Sequence, residues 1–370
     1  MANVGVVGLG TMGLGIAQVF LAAGHSVLAT DSYAPTRQSA KGRLAQTLDK
    51  RVAAGKITTE KSHADVSRFA VFQGLVDLAP CDLVIEAIAE KLDAKRALFA
   101  ELEPILSKKA ILATNTSALS INEMSQVLVR PERLLGLHFF NPAPAMKLVE
   151  LVVRSTNAPD AIRLARQIVE AAGKTVIECA DQPGFIVNRC ARPFYGEALA
   201  MLEEGQSAVD IDAAMLAAGY RLGPFALIDL IGADINLAAT KSLYDGMQNH
   251  PRYYLFQSLI DQVASGKLGA KTGKGFVTGT QIAPQVNDAI VLRIEATLAN
   301  EAASLLDDGA QSPASIDLAM KLALNFPRGP FESAQRWGLT AVRDALTALA
   351  INAPPPLKGR YDISPSLLSL

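Results

Sequence analysis

Cysteine and histidine are scarce, and neither sign of charge prevails. The three cysteines, Cys81, Cys179 and Cys190, are odd in number and show no C-x-x-C spacing. That argues against a disulfide framework or a zinc site and fits a reducing cytosol. Among the four histidines, His25, His63 and His250 have no metal-ligand spacing either, so no metal is expected. The 35 basic and 36 acidic residues leave a net charge of -1. With no basic field to hold a phosphate backbone and no polybasic patch, neither nucleic acid nor a membrane is an expected partner. A long uninterrupted hydrophobic run is missing too. Residues 4–24, VGVVGLGTMGLGIAQVFLAAG, come closest, but six glycines make them a poor helix and only MAN precedes them. A strand, a glycine turn and a helix explain the glycines better. A soluble, cytoplasmic chain is expected.

What is present is length and pattern. The 370 residues suit two or three domains of about 100–200 residues each. NVGVVGL is a short β-branched run, GIAQVFLAAG a helical segment ended by Gly24, and HSVLATD a second apolar run, together one βαβ unit. Further buried-strand candidates are residues 81–88, 110–117, 134–140 and 146–153, with the helical pattern KLDAKRALFAELEPIL between two of them. This alternation predicts an α/β domain with a largely parallel, doubly wound sheet. The stretch from Arg37 to Gly55 reads as a polar helix projecting from it.

After DQPGF (181–185) Ala- and Leu-rich helical stretches take over, which puts a boundary near Pro183. The second half repeats itself. EALAMLEEGQSAVDIDAAMLAAGYRLGPF (197–225) overlays EAASLLDDGAQSPASIDLAMKLALNFPRGPF (301–331), with Glu197 on Glu301, Ile211-Asp212 on Ile316-Asp317, and Gly223-Pro224-Phe225 on Gly329-Pro330-Phe331. The reading is an α/β domain over 1–183, an all-α module over 184–279, and a second, degenerate copy over 280–370. The last residues look like a tail laid over the surface or partly disordered.

GLGTMG supplies Gly8, Gly10 and Gly13 in G-x-G-x-x-G spacing where a strand ends and a helix starts. The first glycine allows the tight turn, the second lets backbone approach a pyrophosphate, and the third lets helix pack on strand. Leu9, Thr11 and Met12 complete the turn, and the helix start offers unpaired N–H groups and positive dipole to phosphates. Asp31 closes the second strand 18 residues after Gly13. A carboxylate there accepts ribose hydroxyls and repels a 2'-phosphate, so a Rossmann-type domain binding NAD rather than NADP is expected.

Seven motifs in order, GLGTMGLGIAQVFLAAGHSVLATD, VIEAIAEKLDAKRALFAELE, ATNTSALSI, GLHFFNPAPAMKLVELV, DQPGFIVNR, GYRLGPFALIDLIG and GKLGAKTGKGF, resemble the L-3-hydroxyacyl-CoA dehydrogenase family over nearly all of residues 3–277. The second helical copy resembles the duplicated C-terminal module of its longer members. The resemblance implies His138 as general acid/base and Glu150 as its partner carboxylate. An imidazole titrating near about 6.5 suits the removal of a hydroxyl proton, and a carboxylate on its far nitrogen fixes the tautomer and steadies the imidazolium. Twelve residues suffice for a strand to end, turn at NPAP and return beside its start. Ser117 and Asn188 match the family residues that hold substrate oxygen, although Ser117 also reads as a helix N-cap before S-I-N-E. Glu90, Lys95, Asn115 and Lys271 match cofactor contacts, the alternative for Glu90 and Lys95 being a solvated helix face. Asn141, in the histidine motif, is taken with the substrate contacts. Lys50 and Lys56 lie where the family meets coenzyme A phosphates, a loose match because Ala53 and Ala54 thin the basic cluster.

Two departures stand out. Val277 replaces the aromatic residue that usually ends GKGFY, and Leu292 stands in the second copy where the first has Asn188. The second copy should therefore lack a substrate contact and serve packing. The expected activity is reversible NAD-dependent oxidation of an (S)-3-hydroxyacyl-CoA, as in β-oxidation. The expected partner is the acyl-CoA substrate, in a monomer with an internal pseudo-dimer or in a homodimer, open to association with other β-oxidation enzymes. A dehydrogenase of a free hydroxy acid or carnitine, and a non-catalytic NAD-binding protein on the same fold, are the alternatives.

Overall fold

Short β-branched runs punctuated by glycine build the first unit. The computed structural model describes residues 1–309 and 312–369, and the chain divides into two units, Met1–Gln182 and Pro183–Leu370. In the first, the strands are β1 (Asn3–Val7), β2 (Ser26–Thr30), β3 (Phe69–Val71), β4 (Leu83–Glu86), β5 (Ile111–Thr114), β6 (Leu134–Phe139), β7 (Leu148–Val153) and β8 (Thr175–Ala180). They form one sheet in the order β3-β2-β1-β4-β5-β6-β7-β8. Every neighbouring pair is parallel except β6 with β7. The helices are α1 (Thr11–Ala22), α2 (Ala34–Ala53), α3 (Thr59–Ser67), α4 (Leu92–Leu102), α5 (Ile121–Ser125) and α6 (Pro159–Ala171).

The core follows from strand periodicity. On β6, Leu135, Leu137 and Phe139 enter the main apolar cluster with Val149 and Leu151 of β7 and with Ile16 and Phe20 of α1. His138 and Glu150, one residue out of phase, therefore face the opposite side of the sheet. Gly136 shares that face, and a Cβ there would come within 2.5 Å of Ile121 Cδ1. Glycine at this point is what lets α5 lie against β6.

Two strands, β3 and β8, lay outside the sequence reading; β3 has three residues and β8 carries Glu178 in mid-strand, so each is a poor apolar run. The polar helix expected over 37–55 exists as α2, but it does not merely project. Ala40, Leu44 and Leu48 are buried in the main cluster, one apolar stripe beneath a polar face.

The second unit is helical: α7 (Val187–Glu203), α8 (Ala208–Ala217), α9 (Pro224–Ile231), α10 (Ala233–Gly246), α11 (Gln257–Ala264), α12 (Asp288–Asp307), α13 (Pro313–Leu324), α14 (Pro330–Trp337), α15 (Leu339–Asn352) and α16 (Pro365–Ser369). The repeated letters have a mechanical cause. The Asp212 carboxylate accepts the N–H groups of Phe225 and Ala226 at 2.9 and 2.8 Å, and Asp317 accepts those of Phe331 and Glu332 at 2.8 and 3.1 Å. Each aspartate thus satisfies the start of the following helix. A Cβ at Gly223 or Gly329 would sit 2.3 Å from that aspartate, so the glycine before each Pro-Phe is required.

The two copies are stitched by reciprocal ion pairs. Arg189 of α7 donates to Glu301 of α12 at 2.6 Å, while Arg293 of α12 donates to Glu197 of α7 at 2.7 Å. Arg189 reaches Asp308 at 2.7 Å and Arg293 reaches Glu204 at 2.6 Å. Tyr253 donates its hydroxyl to Glu301, and Tyr361 to Glu197. The C-terminal stretch is therefore not a loose tail: Arg360, Tyr361 and Leu367 are buried, and Arg360 donates to Glu197 at 3.2 Å. Removing one partner of such a pair leaves a buried charge alone, which costs about 3–5 kcal/mol. Glu301→Ala should lower unfolding stability by that amount in urea titrations, and Arg189→Met/Glu301→Leu together should recover most of it.

Candidate active site

The glycine turn is built as a phosphate cradle. Gly8 has φ 96°, and a Cβ there would lie 2.6 Å from the Ala87 carbonyl oxygen. A Cβ on Gly13 would lie 1.7 Å from Gly8 O, whereas one on Gly10 would meet nothing within 4 Å. Two glycines are thus fixed by packing, and the third keeps a surface open to a ligand. Gly10 is the N-cap of α1 with no side-chain capping bond and no acidic residue in the first turn, so the N–H groups of that turn are offered outward. The Asp31 carboxylate accepts from Leu9 N at 2.7 Å and Tyr33 N at 2.8 Å, and Arg43 donates to Leu9 O at 2.7 Å. Both ends of the Leu9 residue are held. An open cradle at a helix start beside a strand-end carboxylate fits a dinucleotide.

His138 and Glu150 are direct cross-strand partners in the β6–β7 ladder. Nδ1 of His138 and Oε2 of Glu150 are 2.6 Å apart, with the histidine buried and the glutamate wholly so. A carboxylate accepts, so Nδ1 carries the hydrogen and Nε2 carries the lone pair able to take a proton. The Phe140 ring lies against the imidazole with centroids 4.4 Å apart. The ring is therefore oriented from one side by a hydrogen bond and from another by an aromatic face.

A second network ties the ends of β4 and β5. Glu86 is fully buried and accepts from Lys95 Nζ at 2.6 Å, Thr114 Oγ1 at 2.6 Å and Ile88 N at 2.7 Å. Lys95 also lies 3.1 Å from Glu90, which accepts from Thr116 Oγ1 at 2.5 Å and Ser117 N at 3.1 Å. Burial alone would raise the Glu90 carboxyl, but the Lys95 ammonium, the Thr116 hydroxyl and the Ser117 amide hold it below the ordinary range. A solvated helix face is thus wrong for Lys95, which is 1% exposed. Ser117 is not the N-cap of α5 either; Ser120 is, accepting from Glu123 N. Asn115 Oδ1 accepts from Phe139 N at 2.9 Å and so joins this loop to the strand that carries His138.

Glu86, Thr114, Thr116 and Asp181 escaped the sequence reading, although all four sit inside motifs it used. Asp181 accepts from Ile121 N at 3.0 Å and Asn122 N at 2.7 Å, anchoring α5. Asn188 and Lys271 belong to the second unit. Asn188 is the second residue of α7 and its carbonyl accepts from Arg192 Nε at 3.1 Å; Lys271 pairs with Asp234 at 2.5 Å. Asn141, Lys50 and Lys56 are exposed and stand outside both networks. Val277 is buried and donates its N–H to Asp229 at 2.8 Å, so loss of the aromatic leaves that junction pinned by backbone. Among the described residues no group of His, Cys, Asp or Glu could hold a metal, and no helix is long and apolar enough to cross a membrane.

The family descriptions "3-hydroxyacyl-CoA dehydrogenase, NAD binding domain" and "3-hydroxyacyl-CoA dehydrogenase, C-terminal domain" match residues 3–182, and 184–279 with 290–367. The chain belongs to the 3-hydroxyacyl-CoA dehydrogenase family. It is similar to the 3-hydroxyadipyl-CoA dehydrogenase of Escherichia coli, 42% identical over 74% of this chain but only 58% of that protein's length. A 3-hydroxybutyryl-CoA dehydrogenase of Bradyrhizobium diazoefficiens is 39% identical over 74% of this chain and 94% of its own. Among solved structures, a 3-hydroxybutyryl-CoA dehydrogenase of Escherichia coli overlays with a TM-score of 0.93 at 30% identity, covering 100% of this chain and 98% of the other. As a member of this family the chain is an NAD-dependent oxidoreductase. In a 3-hydroxyacyl-CoA dehydrogenase fold with this turn, Gly10→Ala should leave the melting temperature nearly unchanged while weakening NAD binding about tenfold or more by titration calorimetry. Gly13→Ala should lower both.

Proposed function

We propose that the chain oxidises an (S)-3-hydroxyacyl-CoA reversibly to the 3-ketoacyl-CoA, with His138 as the general acid/base. The observation that carries the reading is the buried 2.6 Å contact between His138 Nδ1 and Glu150 Oε2. Bound NAD supplies the hydride acceptor for the C3 hydrogen. The C3 hydroxyl proton passes to Nε2 of His138, and the negative charge of Glu150 steadies the imidazolium so formed. In the reverse direction His138 returns that proton to the developing alkoxide. Ser117 and Asn188 hold the C3 oxygen and stabilise charge on it. Glu90, Lys95 and Asn115 shape the loop that meets the cofactor, with Lys271 a further contact. Asn141, Lys50 and Lys56 are the proposed contacts toward the rest of the acyl-CoA.

Reciprocal ion pairs join the two helical copies to each other within one chain, which supports a chain that works without a second copy at that surface. Three buried cysteines without a disulfide agree with a cytoplasmic site of action.

The test is NADH loss with acetoacetyl-CoA, run beside a free 3-hydroxy acid and carnitine with NAD. Turnover of the CoA ester with little on the free substrates is expected. His138→Gln should lower kcat about 10²–10⁴-fold and Glu150→Gln by a comparable factor. Comparable turnover of a free acid, or a fully active His138→Gln, would overturn the reading.

A further inference from the structure

The link between β6 and β7 has little of its own to hold it. Of residues 140–147 Ala143 alone is buried, and Asn141, Pro142, Pro144, Ala145 and Lys147 are exposed. Within the link, Ala145 N and Met146 N both donate to Pro142 O, at 2.9 and 3.1 Å. Those bonds close a turn. They do not fasten it to the sheet or to a helix.

Two contacts from outside do so. Lys174 Nζ donates to Ala143 O at 2.6 Å and to Met146 O at 2.7 Å, so one ammonium grips the turn near both of its ends. The start of β8 delivers that lysine: Thr175 N donates to Lys147 O at 2.8 Å, and Thr175 stands beside Leu148 in the β7–β8 register. No carboxylate pairs with Lys174 among the described residues, and desolvation pulls its ammonium below the usual lysine range. A half-buried cation held by neutral carbonyls alone costs stability, so stability does not explain why it is there. On its other side the link leans on α1. A Cβ on Gly15 would lie 3.4 Å from Ala143 Cβ and 3.5 Å from Pro144 Cδ, and Ala143 shares the apolar cluster of Ile16. A side chain larger than a methyl at position 15 would push the link off the helix.

What the link connects is the chemistry of the first unit. α1 starts at the glycine cradle, and Phe140, the first residue of the link, lies against the His138 ring. A displaced link therefore moves Phe140, and the imidazole with it, while the cradle stays where it is. We propose that Lys174 is a positioning residue for the proton transfer: by holding the link against α1 it fixes where His138 presents Nε2 relative to the cofactor cradle. The inference rests on the dehydrogenase reading with His138 as the base. Proton and hydride leave one secondary alcohol together, so base and cofactor must be set to each other within about 0.5 Å. A misplacement of about 1 Å costs on the order of a hundredfold in rate.

The experiment measures kcat and both KM values for acetoacetyl-CoA and NADH in Lys174→Met, alone and combined with His138→Gln. Methionine keeps most of the apolar stem and removes the donors. Alone it should lower kcat about tenfold to a hundredfold, with both KM values within about twofold of wild type. In the His138→Gln background the same change should cost less than about twofold, because a clamp that acts through the imidazole then has nothing left to position. Lys174→Gln, whose neutral donor is one bond shorter, should lower kcat severalfold with the same dependence on His138, and serves if Lys174→Met does not fold. An unchanged kcat in both variants, or an equal loss with and without His138, overturns the positioning role and leaves the dehydrogenase reading standing. An inactive wild type, or a fully active His138→Gln, overturns that reading and the role of Lys174 with it.

Discussion

One reversed strand pair carries the site. The sheet is parallel everywhere except between β6 and β7, and that reversal is what allows residues 138 and 150 to stand opposite each other. The link over residues 140–147 is too short for a parallel crossover, which takes a dozen or more residues. Register then does the rest. Phe139 and Val149 are core partners in the same ladder, so a slip of one residue would drive His138 into the apolar cluster and turn Phe139 out of it. Packing energy in the core therefore enforces the alignment of two polar side chains on the other face. Glu150, with no exposure, is acceptable there because the imidazole supplies a donor to a carboxylate that water does not reach.

The ends of β4 and β5 are held by a comparable logic with charge instead of register. Glu86 would be costly at zero exposure without Lys95, and Lys95 would be costly at 1% without Glu86 and Glu90. The pair fixes Glu90, and Glu90 takes the hydroxyl of Thr116 and the amide of Ser117. Side chains that resemble cofactor contacts in sequence thus have a structural task as well: they set the path of the loop bearing Ser117. Through Asn115 and Phe139 N the same loop is coupled to β6. The site of the first unit is in this sense a single hydrogen-bonded frame from Thr114 to His138.

Much of this was legible because the chemistry is local in sequence. Gly8, Gly10, Gly13 and Asp31 are set by one turn and one strand end, and His138 and Glu150 by one turn and two strands. Patterns of that range survive in the order of the letters. What was not legible depends on contacts remote in the chain. Glu86 reads as one carboxylate among several until Lys95 and Thr114 are seen around it. Asp181 lies 60 residues from Ile121, whose N–H it accepts, and no spacing announces that. The burial of α2 through Ala40, Leu44 and Leu48 was masked by the Lys, Arg and Gln between them. The C-terminal residues looked loose because prolines and glycine interrupt them, yet Arg360 and Tyr361 are ordered by Glu197, far back in α7.

The helical repeat separates what packing retains from what chemistry retains. The second copy has Leu292 where the first has Asn188, the proposed substrate contact. It has kept every member of the reciprocal network: Arg293 for Arg189, Glu301 for Glu197, Asp308 for Glu204, and Arg360-Tyr361 for Arg252-Tyr253. The reason is the symmetry of the contact. Each glutamate is neutralised by residues of the other copy, so a charge lost from either half strands a buried partner in its twin. A contact that serves only one half can drift, whereas one that both halves share holds them to the same residues. The second module is therefore bound to the first by electrostatics even where the counterpart of Asn188 has changed to leucine.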